Sequence, residues 1–98
     1  MAEQRQVSLD LSVGEVGAVP LERQGTAGYD WQVTQIPPGI ADVAIEPRAG
    51  GAAAVGAATL ETLRLRPTAP GEHDLVLTLR RPWESAPVQV LHVMVRAR

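Results

Sequence analysis

Ninety-eight residues make one domain, with room for one modest core. The absence of cysteine excludes disulfides, thiolate metal sites and a cysteine nucleophile. A formal net charge of −2 gives no reason to expect a nucleic-acid or anionic-membrane partner, and the nine basic residues, all arginine, are spread along the chain rather than gathered in a patch.

The start of the chain, Met1 to Gln6, is polar and lacks the apolar stretch of a secretory leader. No run is long and apolar enough for a transmembrane helix. The chain as given reads as cytoplasmic, or as periplasmic or secreted if a leader has been removed. From Val7 the pattern becomes regular. Val7, Leu9, Leu11 and Val13 alternate with Ser8, Asp10 and Ser12, the period of a half-buried strand. Gly14 to Gly17 forms a turn. Val16 to Leu21 reads as a second strand, which Pro20 marks as an edge or an irregular segment.

Gln24 to Trp31 begins as a turn and ends as a strand. Gly25 and Gly28 bracket Thr26 and Ala27, which suits a tight loop with unusual backbone angles. Tyr29, Trp31 and Val33 then share one face of a strand running to about Ile36, and that parity predicts that both aromatic residues are core. Pro37-Pro38-Gly39 turns the chain. Ala41 to Glu46 is a short strand with Val43 and Ile45 on one side. Pro47 to Ala58 is rich in Gly and Ala; its glycines and leading proline argue for a long mobile loop rather than a helix.

Thr59 to Arg66 resumes as strand, with Leu63 and Leu65 inward. Pro67 to Gly71 turns, and Glu72 to Arg80 is the clearest interior strand, its Leu75, Leu77 and Leu79 alternating with Val76, Thr78 and Arg80. Arg81 to Ser85 is a loop. In the last strand, Pro87 to Arg96, Val88 and Val90 have one parity and Leu91, Val93 and Val95 the other, which predicts a bulge near Val90-Leu91. Seven short strands, Gly/Pro turns and no helix indicate an all-β antiparallel sandwich or barrel. If the strands follow one another across the sandwich, the loops at 23–28, 48–58 and 81–87 can gather at one end.

Catalytic chemistry is sparse. His73 and His92 are isolated on strands and read as surface or hydrogen-bonded histidines. Ser8, Ser12 and Ser85 lack a nucleophile-elbow context. No spacing suggests metal ligands, and no Gly-x-Gly element lies between a strand and a helix. No enzyme activity and no cofactor are expected. The positive signal concerns binding. Only two tryptophans and one tyrosine are present, with no phenylalanine. Trp83 sits in the loop Arg81-Pro82-Trp83-Glu84, either as an interface anchor or as a plug folded over the sandwich end. Arg81 either bridges Glu84 or meets a carboxylate of a partner.

At these residues the chain resembles the chagasin family of cysteine-protease inhibitors. The family is marked by an Asn-Pro-Thr-Thr-Gly-aromatic-x-Trp loop, a Gly-x-Gly-Gly loop and an Arg-Pro-Trp loop. The first corresponds to Gln24-Gly25-Thr26-Ala27-Gly28-Tyr29-Asp30-Trp31. The third is intact at Arg81-Pro82-Trp83 and is followed by the Glu84 common in the family. The second is placed by spacing at Val55-Gly56-Ala57-Ala58, with Gly50-Gly51 as the alternative. The resemblance spans nearly the whole chain and implies an immunoglobulin-like β-sandwich of about seven strands. It further implies reversible, competitive inhibition of a papain-like cysteine protease, host or endogenous, by three loops forming a wedge. The binding residues it implies are Gly25, Thr26, Ala27 and Gly28 across the catalytic dyad, with Gly56, Ala57 and Ala58 on one flank and Arg81, Pro82 and Trp83 on the other. The chain departs from the family at Gln24 for Asn, Gly25 for Pro and Ala27 for Thr. The competing expectation is a non-inhibitory immunoglobulin-like adhesion or assembly module that pairs through an edge at 7–13 or 87–97. The inhibitor is expected to be a monomer when free.

Overall fold

The computed structural model describes residues 2–23, 29–47 and 59–98. They form seven strands: β1 (Glu3–Leu11), β2 (Gly17–Arg23), β3 (Asp30–Gln35), β4 (Ile40–Pro47), β5 (Thr59–Pro67), β6 (Gly71–Arg80) and β7 (Gln89–Ala97). Two sheets result, ordered β1-β7-β6-β3 and β2-β5-β4. Among the described residues there is no helix. The architecture is the immunoglobulin-like sandwich that the alternation and the family resemblance imply.

Alternation decides which face each strand buries. Leu75, Leu77 and Leu79 of β6 are between 0% and 5% exposed. They stand beside Val93 and Leu91 of β7 and Val33 and Trp31 of β3. From the opposite sheet Val19, Leu21, Leu63 and Leu65 close the same core. Each leucine so enclosed contributes about 1.5–3 kcal/mol. Trp31 is buried and Tyr29 packs against the cluster, as their shared parity predicts.

Four expectations need correction. β1 runs parallel to β7, from Glu3 opposite Gln89 to Leu11 opposite Ala97, so the sandwich is not wholly antiparallel. The alternation of 7–13 places this strand two to four residues late. Glu3 to Gln6 are polar, yet their backbone pairs with β7, while Val13 lies beyond the strand and is exposed. β7 lies between β1 and β6, so residues 87–97 offer no edge for pairing with another molecule. Finally, no bulge interrupts Val90-Leu91; the β6–β7 register is unbroken from Gly71–Ala97 to Leu79–Gln89. Val90 instead belongs to the outer face, opposite Thr78, so the two apolar parities reflect a buried inner face and a half-covered outer one rather than an inserted residue.

The true register shifts fall at Val33/Gln35 and Ala41/Ala44. In the first, the Thr34 hydroxyl donates to the Val76 carbonyl. In the second, Asp42 takes a positive φ of 55°, a conformation aspartate tolerates better than branched residues. Its carboxylate accepts a 2.6 Å hydrogen bond from Arg66 Nε. Pro20 sits on β2, an edge strand, as its missing N–H requires.

At the end of the sandwich formed by Gly39 and Pro67, His73 is a structural residue. Its Nε2 donates to the Ala69 carbonyl at 2.8 Å. The ring lies against Gly39, whose carbonyl oxygen accepts from Thr68 N–H at 2.8 Å. A Cβ at position 39 would clash with the imidazole of His73. Gly39→Ala is therefore expected to cost about 1–3 kcal/mol in denaturant unfolding. The cost should shrink in a His73→Ala background, because the clash then has no partner.

Candidate binding site

The strand ends that bracket the three predicted loops lie together. In one sheet Arg23 pairs with Thr59, and Pro47 with Glu61. In the other Asp30 pairs with Arg80, Leu79 with Gln89, and Glu3 with Gln89. A shared hollow lined by Glu3, Glu22, Tyr29, Leu79 and Val88 shows that both sets of ends face the same way. The candidate residues Gly25, Thr26, Ala27, Gly28, Gly56, Ala57 and Ala58 lie outside the described residues. Arg81, Pro82 and Trp83 lie within them.

The loop after β6 opens with a tight turn. Glu84 N–H donates to the Arg81 carbonyl at 3.0 Å, which puts Pro82 and Trp83 at the two central positions. Proline suits the first of these because its ring presets φ. The Glu84 carbonyl accepts from Arg80 at 2.6 Å, and the same guanidinium reaches Gln32 Oε1 at 3.2 Å. The chain rejoins the sheet at Val88, whose N–H donates to the Leu79 carbonyl at 2.8 Å.

Trp83 is 72% exposed. It does not fold back over the sandwich end, so the plug reading is excluded. Arg81 behaves differently. It continues the inward parity of Leu75, Leu77 and Leu79. The β3–β6 register, extended one residue past Asp30–Arg80, sets it opposite Tyr29. Its guanidinium lies over the Tyr29 ring at 4.5 Å from the centroid and 5.9 Å from that of Trp83. Its Nη1 meets Glu84 Oε1 at 3.1 Å, so the internal bridge is formed. Sequence reasoning named this bridge but missed the role of Tyr29. The signal was available in the shared parity of Tyr29 with Trp31 and of Arg81 with the leucines.

Among the described residues, no group of three or more His, Asp or Glu side chains could hold a metal. His92 approaches Asp74 at 3.6 Å and Gln4 at 3.3 Å on the outer face of its sheet, away from this end.

A sandwich that raises one exposed indole on a braced turn is built to present loops to another macromolecule. Comparison with known proteins identifies which kind. The model of the chagasin family of peptidase inhibitors matches residues 10–95, and the chain belongs to that family. No curated protein sequence matches. Among solved structures, the cysteine protease inhibitor EhICP2 from Entamoeba histolytica superposes with a TM-score of 0.70 at 20% identity, covering 99% of this chain and 96% of its own. PbICP-C, solved in complex with falcipain-2, gives 0.73 at 19% identity, covering 99% and 91%. Leishmania mexicana ICP gives 0.63 at 19%, covering 100% and 90%. At these identities the structural matches speak for the fold. Family membership favours the inhibitor over the non-inhibitory adhesion module.

Because Trp83 is so exposed, Trp83→Ala is expected to shift unfolding stability by no more than about 0.5 kcal/mol. Glu84→Gln, which breaks an ion pair between partly exposed groups, should cost about 1 kcal/mol or less. Denaturant unfolding of both variants checks this.

Proposed function

We propose that the chain is a reversible, competitive inhibitor of papain-like cysteine proteases that acts as a monomer. Loops from one end of the sandwich enter the active-site cleft. The observation that carries this reading is Trp83, exposed on a braced turn at the end where the three family loops leave the sheets. The structural relative PbICP-C, solved with falcipain-2, supports a protease as the partner.

The physical logic rests on the residues. A tryptophan held at the tip of a short turn supplies a large apolar contact with little rotamer entropy left to lose. Thr26, Ala27 and Gly28 are small, which lets backbone approach the protease nucleophile closely. Gly56, Ala57 and Ala58 would flank the cleft on one side, and the turn that carries Pro82 and Trp83 on the other. A rigid sandwich confines the ordering cost of binding to the loops. No scissile bond need be cut, and no cofactor is required.

The test is a titration of papain and a cathepsin L-type protease with a fluorogenic peptide. Competitive, reversible inhibition is expected, and Trp83→Ala should weaken it by about 2 kcal/mol or more, roughly thirty-fold in Ki. Unchanged affinity in this folded variant would remove Trp83 from the interface. Gly25 stands where the family has proline, so Gly25→Pro should tighten binding by about 0.4–1 kcal/mol through reduced loop entropy. The Ki ratio against the parent chain measures that gain.

A further inference from the structure

We infer that Arg81 is a positioning residue, not a contact for the protease: stacked on Tyr29 and paired with Glu84, it fixes where Trp83 stands. The inference rests on the inhibitor reading and deepens it by dividing Arg81-Pro82-Trp83 into a brace and an anchor.

The geometry begins in the sheet. Arg81 is the fourth member of the inward row after Leu75, Leu77 and Leu79, at the point where the core runs out. An aliphatic residue there would be left facing the open end of the sandwich. Arginine lays its stem along the apolar rim and its planar head on an aromatic face. That face belongs to Tyr29, the residue through which segment 24–28 enters β3, with the guanidinium 4.5 Å from its centroid. The ring of Trp83 lies near the same cation at 5.9 Å, and Glu84 Oε1 takes Nη1 at 3.1 Å.

Arg81 offers a partner little surface, and its Nε is buried without a hydrogen-bond partner, out of reach of any carboxylate from outside. Its side chain is 30% exposed, against 72% for Trp83 two residues on. One carboxylate is already engaged within the turn itself. A carboxylate of the protease would have to displace Glu84 to gain a similar contact. Arg81 thus ties the turn bearing Trp83 to the exit of the first family loop. The Tyr29–Arg81–Glu84 stack holds the turn bearing Trp83 against the start of β3.

A double-mutant cycle with two readouts tests this. Arg81→Gln, Tyr29→Leu and the double variant are assayed against papain. Acrylamide quenching and fluorescence anisotropy of Trp83 are measured in the free proteins, with buried Trp31 as a constant background. Tyr29→Phe, which keeps the ring, is the conservative control. If Arg81 positions Trp83, both single changes raise Ki by a similar factor, about three- to thirty-fold, the range of a cation–π contact. The double variant then adds little. The free singles show a more mobile Trp83, and Tyr29→Phe behaves as the parent. If Arg81 touches the protease directly, Arg81→Gln raises Ki with Trp83 unchanged in the free protein. Tyr29→Leu is then silent or additive, and the inference falls. Should the parent chain leave papain untouched, the inhibitor reading fails, and the mobility of Trp83 alone decides the brace.

Discussion

The inward row of β6 is the constraint on which the rest depends. Leu75, Leu77 and Leu79 touch both neighbouring strands and the opposite sheet, and among the described residues no other strand contributes three leucines so completely enclosed. Because side chains alternate along a strand, this row also sets the directions of the residues just past its end. Residue 81 must face the end of the core and residue 80 the outer surface. Arg81 answers the first demand with a ring beneath it, and Arg80 meets Gln32 on the outer face. The turn at Pro82-Trp83 lifts the indole clear of both.

This arrangement separates stability from function by position. Burial is concentrated in the middle of the sandwich, where exposure falls to zero at Leu63, Leu75, Leu77, Val93 and Val95. Among the described residues, the end that carries Trp83 is held by hydrogen bonds, the Arg81–Glu84 ion pair and the approach of Arg81 to the Tyr29 and Trp83 rings, each worth about 1 kcal/mol. Loop residues at that end can therefore vary without unfolding the chain. That is how a family retains its sandwich across relatives only 19–20% identical. The first loop of this chain, with Gln24, Gly25 and Ala27 in place of the family residues, is an instance of such variation.

Much of the fold is legible because its strands obey a period of two. Parity alone turns Leu63, Leu65 and the β6 leucines inward, and Pro20 marks an edge. The parallel pairing of β1 is not legible, since parallel and antiparallel partners impose the same alternation on a strand with one buried face. The bulges at Thr34 and at Asp42-Val43 escape notice because nothing in local hydrophobicity changes there. The expected bulge at Val90-Leu91 arises from treating an apolar residue as an inward one. At the site, Arg-Pro-Trp is visible as a motif, and its prominence conceals that Arg81 and Trp83 do different work. Exposure and the Tyr29 contact, which separate them, depend on register across β3 and β6 and not on the motif.

One end of the sandwich is proposed to meet the protease. Amide hydrogen exchange, compared for the chain alone and with excess active-site-blocked and active papain, tests this most directly. New protection in the presence of active papain is expected at Trp83, Glu84 and the residues around Tyr29, and it should be lost when the cleft is blocked. The amides at Gly14, Gly39 and Gly71, at the opposite end, should be unaffected. Protection appearing there or along β1 instead, with Trp83 unchanged, would contradict the account.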